Sequence, residues 1–469
     1  MSLLQRFTGS KTSDMTTGNP TTTMLAFAIP IMISQLFQQL YNTADTYIVS
    51  KFLGTDAMSA VSSSGALIFF MIGFFNGTAT GAGVVISRYF GANDGKKVSR
   101  AIHTDIIFGL VCGIVLTAIG VGFTPGMLRL MNVDAEIMQQ AVEYFRYYFI
   151  GGIFLIMYNI CCGIMNAVGD SRRPLFYLIF SSLLNVVLDL LFVGGFHWGV
   201  WSAAFATVIS QAASVVLCFV HLMKKGHVYT VEIRNLKVDR KLLGEIIRFG
   251  IPSGIQNSVI AVANVLVMSQ VNSFGKYATG GNGVHAKIEG FAFVPINSFA
   301  AAISTYISQN LGARKYDRAK KGAKIGIIGC CVCAEVIGII CFICSPVFVG
   351  FFDSDPEIIR YGVLQDRVLT LFYCLLAFSH SIAAVCRGAG KAFVPMFVML
   401  SDWCAFRILY IEVVSHLSND LRLIYAAYPI TWLISSIIFL IYYLKSDWIH
   451  GFDAIPKHHF PDRLSKQKT

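Results

Sequence analysis

Residues 86–100 read ISRYFGANDGKKVSR, and 221 residues further on, at 307–321, the chain reads ISQNLGARKYDRAKK. Ile86, Ser87, Gly91, Ala92 and the basic Arg100 return as Ile307, Ser308, Gly312, Ala313 and Lys321. The same offset carries Pro125 to Pro346, Asp134 to Asp355, Glu136 to Glu357, Arg146 to Arg367, Gly169 to Gly390 and Pro174 to Pro395. A register that survives several loops marks a duplication. It also supplies a control for function. A repeated scaffold needs its turns and packing residues twice, whereas a binding site off the pseudo-axis is needed once, so polar residues present in one half only are candidates for chemistry.

Composition sets the class. Of 469 residues, 55% are hydrophobic and 13% charged, with a mean hydropathy of +0.63, which leaves too little polar surface for a soluble protein of this length. Apolar runs of about 20 residues, enough to cross a bilayer core of ~30 Å, recur near 24–50, 58–83, 101–123, 137–160, 174–194, 199–223, 245–273, 283–308, 322–345, 358–386, 394–414 and 423–444. The expected fold is an all-α integral membrane protein with twelve transmembrane helices in two six-helix pseudo-symmetric lobes. Six crossings per half give both repeats one orientation, related by an axis along the membrane normal. The divisions are an N-lobe (1–223), a linker (224–244), a C-lobe (245–444) and a tail (445–469). The first 20 residues are polar, rich in Thr and Ser, and lack the pattern of a signal peptide.

Charge gives the orientation. Of 37 Lys and Arg, 28 fall at the chain ends and in alternate loops on the side of the N-terminus, including Arg88, Lys96, Lys97, Arg172, Arg173, Lys224 through Arg248, Arg314 through Lys324, and Arg387 with Lys391. The opposite loops hold four: Lys51, Arg129, Lys276 and Arg422. By the positive-inside rule both termini are expected in the cytoplasm of a bacterial cell, with the chain in its inner membrane. The net charge of +11 then reads as topology and not as a nucleic-acid footprint, because the basic loops alternate with spans and form no single stripe.

Several motifs fall away on inspection. The twelve cysteines lie almost wholly in apolar runs with no His or carboxylate at metal-ligand spacing, so they read as small packing residues. Gly95-Lys96 and Gly390-Lys391 resemble the end of a phosphate-binding loop, but Phe90 and Val385 stand where its first glycine would be. Gly73, Gly77 and Gly81, spaced by four, suit close helix packing. No nucleophile and base stand at catalytic spacing in the spans, and no enzyme is expected.

Acids inside the membrane carry the functional signal, since an unpaired charge there costs at least ~3 kcal/mol. In the first span Gln38, Tyr41 and Asp45 share a helical face; in the fifth, Asn185 and Asp189 do. Thr207 lies in the sixth and Tyr144 near the start of the fourth. Asp45 and Asp189 each stand about five residues before the outer ends of outward-running helices, and Tyr144 and Thr207 some seven to eight residues past the outer starts of inward-running ones. At 1.5 Å per residue, these four sit ~8 to 12 Å below the outer surface and can meet. The repeat then serves as the control. Asp45 answers to Val267, at an offset of 222 in this stretch, Asn185 to Phe406, Asp189 to Tyr410 and Thr207 to Tyr428, so the second half discards every polar member of the set. Two carboxylates in one low-dielectric pocket repel, and a proton or small cation relieves the repulsion. The C-lobe has secondary candidates in Glu289, Asp402 and Arg407, besides Glu335 and Glu412; His285 and Glu289, four apart, could pair, while Asp402 and Arg407 need partners on other helices.

At these residues the chain resembles the multidrug and toxic compound extrusion (MATE) family, especially its DinF-like branch. The resemblance rests on the duplicated pattern, on Ala28-Ile29-Pro30 leading to Tyr41-Asn42-Thr43-Ala44-Asp45-Thr46, and on Asn185-Val186-Val187-Leu188-Asp189. Ile288-Glu289-Gly290-Phe291 before Pro295 and Gly388-Ala389-Gly390-Lys391 before Pro395 add to it. It covers essentially the whole chain and implies a MATE-type fold. It also implies that Asp45 with Asn185 and Asp189 binds a coupling proton or sodium, with Tyr41, Tyr144, Thr207 and Gln38 beside them; a sodium ion would be held by Asp45, Asn185, Asp189 and Thr207. Pro30 matches the family's bending first helix. Two departures stand out: Leu190 follows Asp189 where the family commonly has proline, and Gln256 and Asn257 are the nearest polar residues to the acid that the NorM-like branch carries in helix seven.

The resulting expectation is a monomeric secondary active exporter without cofactor, which exchanges a proton or sodium ion for lipophilic organic cations by alternating access. With 37 Phe and 15 Met, the cavity between lobes is expected to be aromatic and Met-rich. A flippase for a lipid-linked precursor is the runner-up; it would favour a basic cavity, and intramembrane Lys287 and Arg407 are the clear basic residues. An ion channel is a further class, set against acids in one lobe only.

Overall fold

Each half starts a long helix from a proline-bearing apolar segment. Asn19 accepts from the Thr21 N–H at 2.9 Å and Pro20 fills the first turn, so α1 runs from Pro20 to Leu53. The computed structural model describes residues 14–54, 57, 61, 65–130, 133–450 and 452. The far N-terminus, the start of the second expected span at 58 and most of the tail lie outside the described residues.

After α1 come α2 (Gly65–Gly91), α3 (Gly95–Leu130), α4 in two pieces (Ala135–Ile150 and Gly152–Ala167), α5 (Arg172–Asp189) and α6 (Trp201–Leu222). The second half holds α7 (Arg240–Asn272), α8 (Lys276–Gly312), α9 (Tyr316–Phe352), α10 in two pieces (Pro356–Leu369 and Tyr373–Gly388), α11 (Phe393–Met399, continuing to Arg407–Leu417) and α12 (Leu421–Lys445). Nine of the described helices are long and apolar enough to cross a membrane, and the pieces of α4, bent by 44°, add a tenth. The two helical runs beyond these are α2 and α11. The latter is broken by a π-helical stretch, Leu400–Phe406, and carries Asp402, Arg407 and Glu412. Several helices also outrun their apolar segments; α8 and α9 extend through 276–312 and 316–352 against expected spans of 283–308 and 322–345.

The duplication is written into the backbone. Positive φ occurs at Gly54 and Gly275, at Asn93 and Arg314, and at Gly169 and Gly390, three pairs at the sequence offset. Asp134 and Asp355 cap their helices alike, accepting from the N–H groups of Glu136 and Glu357. The breaks in α4 at Gly151 and in α10 at Thr370–Phe372 correspond too. Pro30 sits inside an unbroken α1, and Pro252 sits inside α7. By the repeat criterion this proline belongs to the scaffold.

The halves meet along α2 and α7. Gly77 stands against Gly254 and Gly81 against Gly250, where a side-chain carbon on any of the four would press into the facing helix. Further toward the ends, Gly91 abuts Gln309 and Gly312 abuts Arg88, the Ser308 hydroxyl donates to Val84 O at 2.8 Å, and Arg88 pairs with Glu245 at 2.6 Å. The chain ends lie on this same side: Met15 N–H donates to Gln309 Oε1 at 3.2 Å, and His450 packs on Tyr316. On the opposite side Tyr147, Phe192, Phe196, Trp198, Trp201 and Phe205 form a continuous aromatic group, the kind of belt that sits at a membrane surface.

Candidate functional site

Asp45 and Asp189 meet. The two carboxyl groups lie within hydrogen-bonding reach of each other, from α1 and from the last residue of α5. Asp189 is fully buried, and one oxygen on each acid, Oδ1 in both cases, has no hydrogen-bond partner among the described residues. Asn185, one turn back on α5, satisfies both ends of its amide in only one orientation: its nitrogen donates to Asp189 Oδ2 at 3.1 Å and its oxygen accepts from Thr207 N–H at 3.2 Å. The Thr207 hydroxyl is spent on Ala203 O at 3.1 Å, within α6. The helix changes character at the acid. Directly after Asp189 the chain winds as a π-helix, Leu190–Gly195, so the position where Leu190 replaces the expected proline is where regular α-helical pairing ends.

Tyrosines close the other side. Tyr41, expected on the helical face of Asp45, and Tyr144, expected at its depth, both lie within electrostatic range of Asp45 and Asp189. Tyr148, one turn after Tyr144 and stacked on it with ring centroids 6.2 Å apart, also approaches Asp45. Sequence reasoning omitted it, although its spacing of four from Tyr144 on one helix was the available signal.

The site opens into a cavity of about 220 Å³ inside the N-lobe, between α1, the second piece of α4, α5 and α6. Asn185, Thr207, Tyr41 and Gln38 line it at the acid end; Ser181, Ser182, Ser210 and Gln211 continue the lining. Among the described residues no Met or Phe contributes to this wall, which mixes hydroxyl and amide groups with Ile31, Leu155, Leu178 and two tyrosines; it lies inside one lobe and is distinct from the aromatic, Met-rich space expected between the lobes. The cause is local: the faces of α5 and α6 that turn inward here carry Ser, Asn, Thr and Gln besides Pro174 and Leu178, while Phe176, Phe180, Leu183 and Val187 of α5 point outward.

The family model MatE matches twice, over residues 30–191 and 252–411, one copy in each half.

The chain belongs to the MATE family.

Among its MATE relatives, the "Probable multidrug resistance protein YoeA" of Bacillus subtilis (strain 168) is 28% identical over 90% of this chain and 92% of its own length. The "Multidrug export protein MepA" of Staphylococcus aureus (strain MW2) is 24% identical over 80% of this chain and 84% of its own. A solved structure described as the "outward-facing conformation of a multidrug resistance MATE family transporter of the MOP superfamily" aligns over 93% of this chain and 98% of that one, with a TM-score of 0.87 at 22% identity. The fold is thus a MATE fold, and the protein is a multi-pass membrane transporter.

The C-lobe candidates scatter. Arg407, 1% exposed, donates to Thr431 Oγ1 at 2.7 Å and to Asn264 Oδ1 at 3.4 Å, and lies over the Tyr428 ring. Its partners are on other helices, as its spacing from Asp402 requires, but they are neutral. Asp402 is buried, while Glu412 is exposed on α11. Glu335 accepts from Cys374 N–H at 3.0 Å and so fixes the start of the second piece of α10. Glu289 lies 4.0 Å from His285, which contacts a further acid, Asp366, that sequence reasoning also omitted.

Proposed function

We propose that this MATE transporter is an antiporter in which Asp45 and Asp189 bind a proton or a sodium ion, exchanged for lipophilic organic cations on their way out of the cell. The observation that carries the reading is the contact between the buried Asp189 and the half-buried Asp45, each with a buried oxygen that has no hydrogen-bond partner among the described residues, on helices whose repeat counterparts have neither acid. Two bare carboxylates in contact in a dry site repel strongly. A shared proton removes one charge, and a sodium ion, with the Asn185 amide and Thr207 to complete an oxygen shell, balances one. Either ligand stabilises the arrangement in which α1 and α5 approach, and substrate favours the other arrangement; coupling is that difference in affinity.

Moving one charge through 100 mV is worth ~2.3 kcal/mol, so exchange of an inbound cation for an outbound one largely cancels the electrical cost. The N-lobe cavity, at about 220 Å³, is below the ~300 Å³ of a typical drug-sized site. It suits an ion with water or one end of a substrate, with the rest extending between the lobes. Placement in the inner membrane of a bacterium, with both termini cytoplasmic, is supported by the basic residues gathered on the terminus side and by the bacterial relatives. Proteoliposomes loaded with a fluorescent organic cation test the exchange. An imposed proton or sodium gradient should accelerate dye exit at least tenfold over no gradient; gradient-independent exit, or movement of labelled lipid with no movement of dye, would replace antiport with a channel or a lipid flippase.

A further inference from the structure

The C-lobe buries a second row of ionisable groups that the N-lobe site does not use. His285 of α8 and Asp366 of α10 are 1% and 0% exposed, and His285 Nδ1 lies 2.5 Å from Asp366 Oδ1. The Ser345 hydroxyl of α9 donates to Asp366 Oδ2 at 2.5 Å. When Asp366 accepts at both oxygens, the imidazole proton sits on Nδ1. Nε2 is left with a bare lone pair; it is buried and has no hydrogen-bond partner among the described residues. The acid it faces is Glu289, 4.0 Å away, whose side chain is 23% exposed. The Asp366 end of the row is fully buried and the Glu289 end is partly exposed.

The repeat identifies which members the scaffold needs. Ser345 corresponds to Thr124, a hydroxyl in both halves, but Asp366 corresponds to Phe145, His285 to Ser64 and Glu289 to Ile68. The three ionisable residues are peculiar to the C-lobe, as Asp45 and Asp189 are to the N-lobe. Nine and ten residues from the starts of α8 and α10, His285 and Asp366 lie ~13 to 15 Å from the end of the bundle opposite the termini.

We propose that His285, held between Asp366 and Glu289, is a second proton-binding site of this transporter, separate from the Asp45–Asp189 pair. A proton from solvent enters through the partly exposed Glu289 and settles on the His285 Nε2 lone pair. The imidazolium so formed lies between two carboxylates, and it draws Glu289 from 4.0 Å into hydrogen-bond range. The other ionisable groups about the row are Tyr373 and Cys341 near Asp366, and Arg407 and Tyr428 near Glu289. Arg407, with only neutral hydrogen-bond partners among the described residues, lies within electrostatic range of Glu289. Gly290, adjacent to Glu289, packs directly on Gln39 of α1, six residues before Asp45. Movement of Glu289 toward the imidazole therefore bears on the helix of the N-lobe site. The site rests on this geometry and does not require the exchange reading.

Histidine nitrogen NMR on the full chain in nanodiscs tests it without any transport measurement. The His285 resonance is assigned by its loss in His285→Gln. It should show the Nδ1-protonated neutral ring at high pH and become doubly protonated between about pH 8 and pH 5. Glu289→Gln should move that transition about one unit or more to lower pH, by removing an anion beside the imidazolium, and Asp45→Asn with Asp189→Asn should leave it in place. A His285 ring that stays in one protonation state from about pH 5 to 9, or that carries its neutral proton on Nε2, overturns the proposal. So does a transition abolished by the N-lobe double variant. If His285→Gln fails to fold, the Glu289→Gln comparison decides alone: the absence of any histidine transition that it shifts overturns the site.

Discussion

Gly250→Ala should part the two lobes on the terminus side. An alanine Cβ at this position would stand 2.8 Å from Thr78 O and 2.9 Å from Thr78 Cα, where ordinary carbon contacts begin near ~3.5 Å. Both obstacles are backbone, so no side chain can rotate away, and α2 and α7 must separate by roughly half an ångström or more along the seam that holds the lobes. Overpacking of this kind costs ~1 to 3 kcal/mol. The cost falls only on the arrangement in which α2 and α7 touch, so the alternative gains roughly 5- to 150-fold in weight. Spin labels introduced through unnatural amino acids at Lys96 and Lys320, exposed positions at the starts of α3 and α9, read the lobe separation by pulsed electron resonance. A single short distance is expected for the parent protein and an added longer one for Gly250→Ala. Gly244→Ala, on the same helix with open space around its Cβ, is the control and should change nothing. An unaltered distance distribution in folded Gly250→Ala would refute the claim that this glycine seam closes the terminus side.

Other consequences are as direct. Tyr148→Phe keeps the ring stacked on Tyr144 while deleting the hydroxyl near Asp45; removing this dipole from the ion's surroundings should weaken the apparent affinity for the coupling ion by roughly fivefold, about 1 kcal/mol, in transport titrations, with unchanged thermal stability. Glu245→Gln removes the partner of Arg88, whose side chain is only 6% exposed. The orphaned cation should cost ~1 to 3 kcal/mol and lower the unfolding temperature in detergent, more than Glu357→Gln at the exposed Arg360 pair does. Arg318 donates to the carbonyls of Met15, Thr17 and Gly18, so Arg318→Ala should release the segment before α1, and protease cleavage between Asp14 and Asn19 should quicken at least tenfold.

Much of this was legible in the chain because a duplication exposes its own scaffold. The proline, glycine and aspartate pairs at the 221 offset recur as matched caps, positive-φ turns and helix breaks, which are local features that residue type specifies. The N-lobe acids could be brought together by counting residues from the helix ends, since depth is set by rise per residue and sidedness by charge. What escaped was set by packing between helices. Asp366 stands between Gln365 and Arg367, in a polar stretch that reads from sequence as a solvated helix face; only its contacts with His285 of α8 and Ser345 of α9 show that it is buried and used. Its mismatch with Phe145 was available as a signal, had the repeat been read from the second half toward the first. The wall of the N-lobe cavity could not be foreseen from totals of Phe and Met, because which face of α5 turns inward depends on its neighbours. The π-helix after Asp189 has no signature in Leu190–Gly195 beyond the missing proline.

The central claim is that Asp45 and Asp189 together bind the coupling ion. Efflux of a fluorescent organic cation from proteoliposomes, with the parent protein compared with Asp45→Asn and Asp189→Asn under a proton gradient and then a sodium gradient, tests it most directly. The account predicts gradient-driven efflux by the parent protein, with the effective gradient naming the ion, and loss of that acceleration in both variants while they remain folded. Variants that respond to the gradient as the parent does would contradict it and move coupling out of the N-lobe.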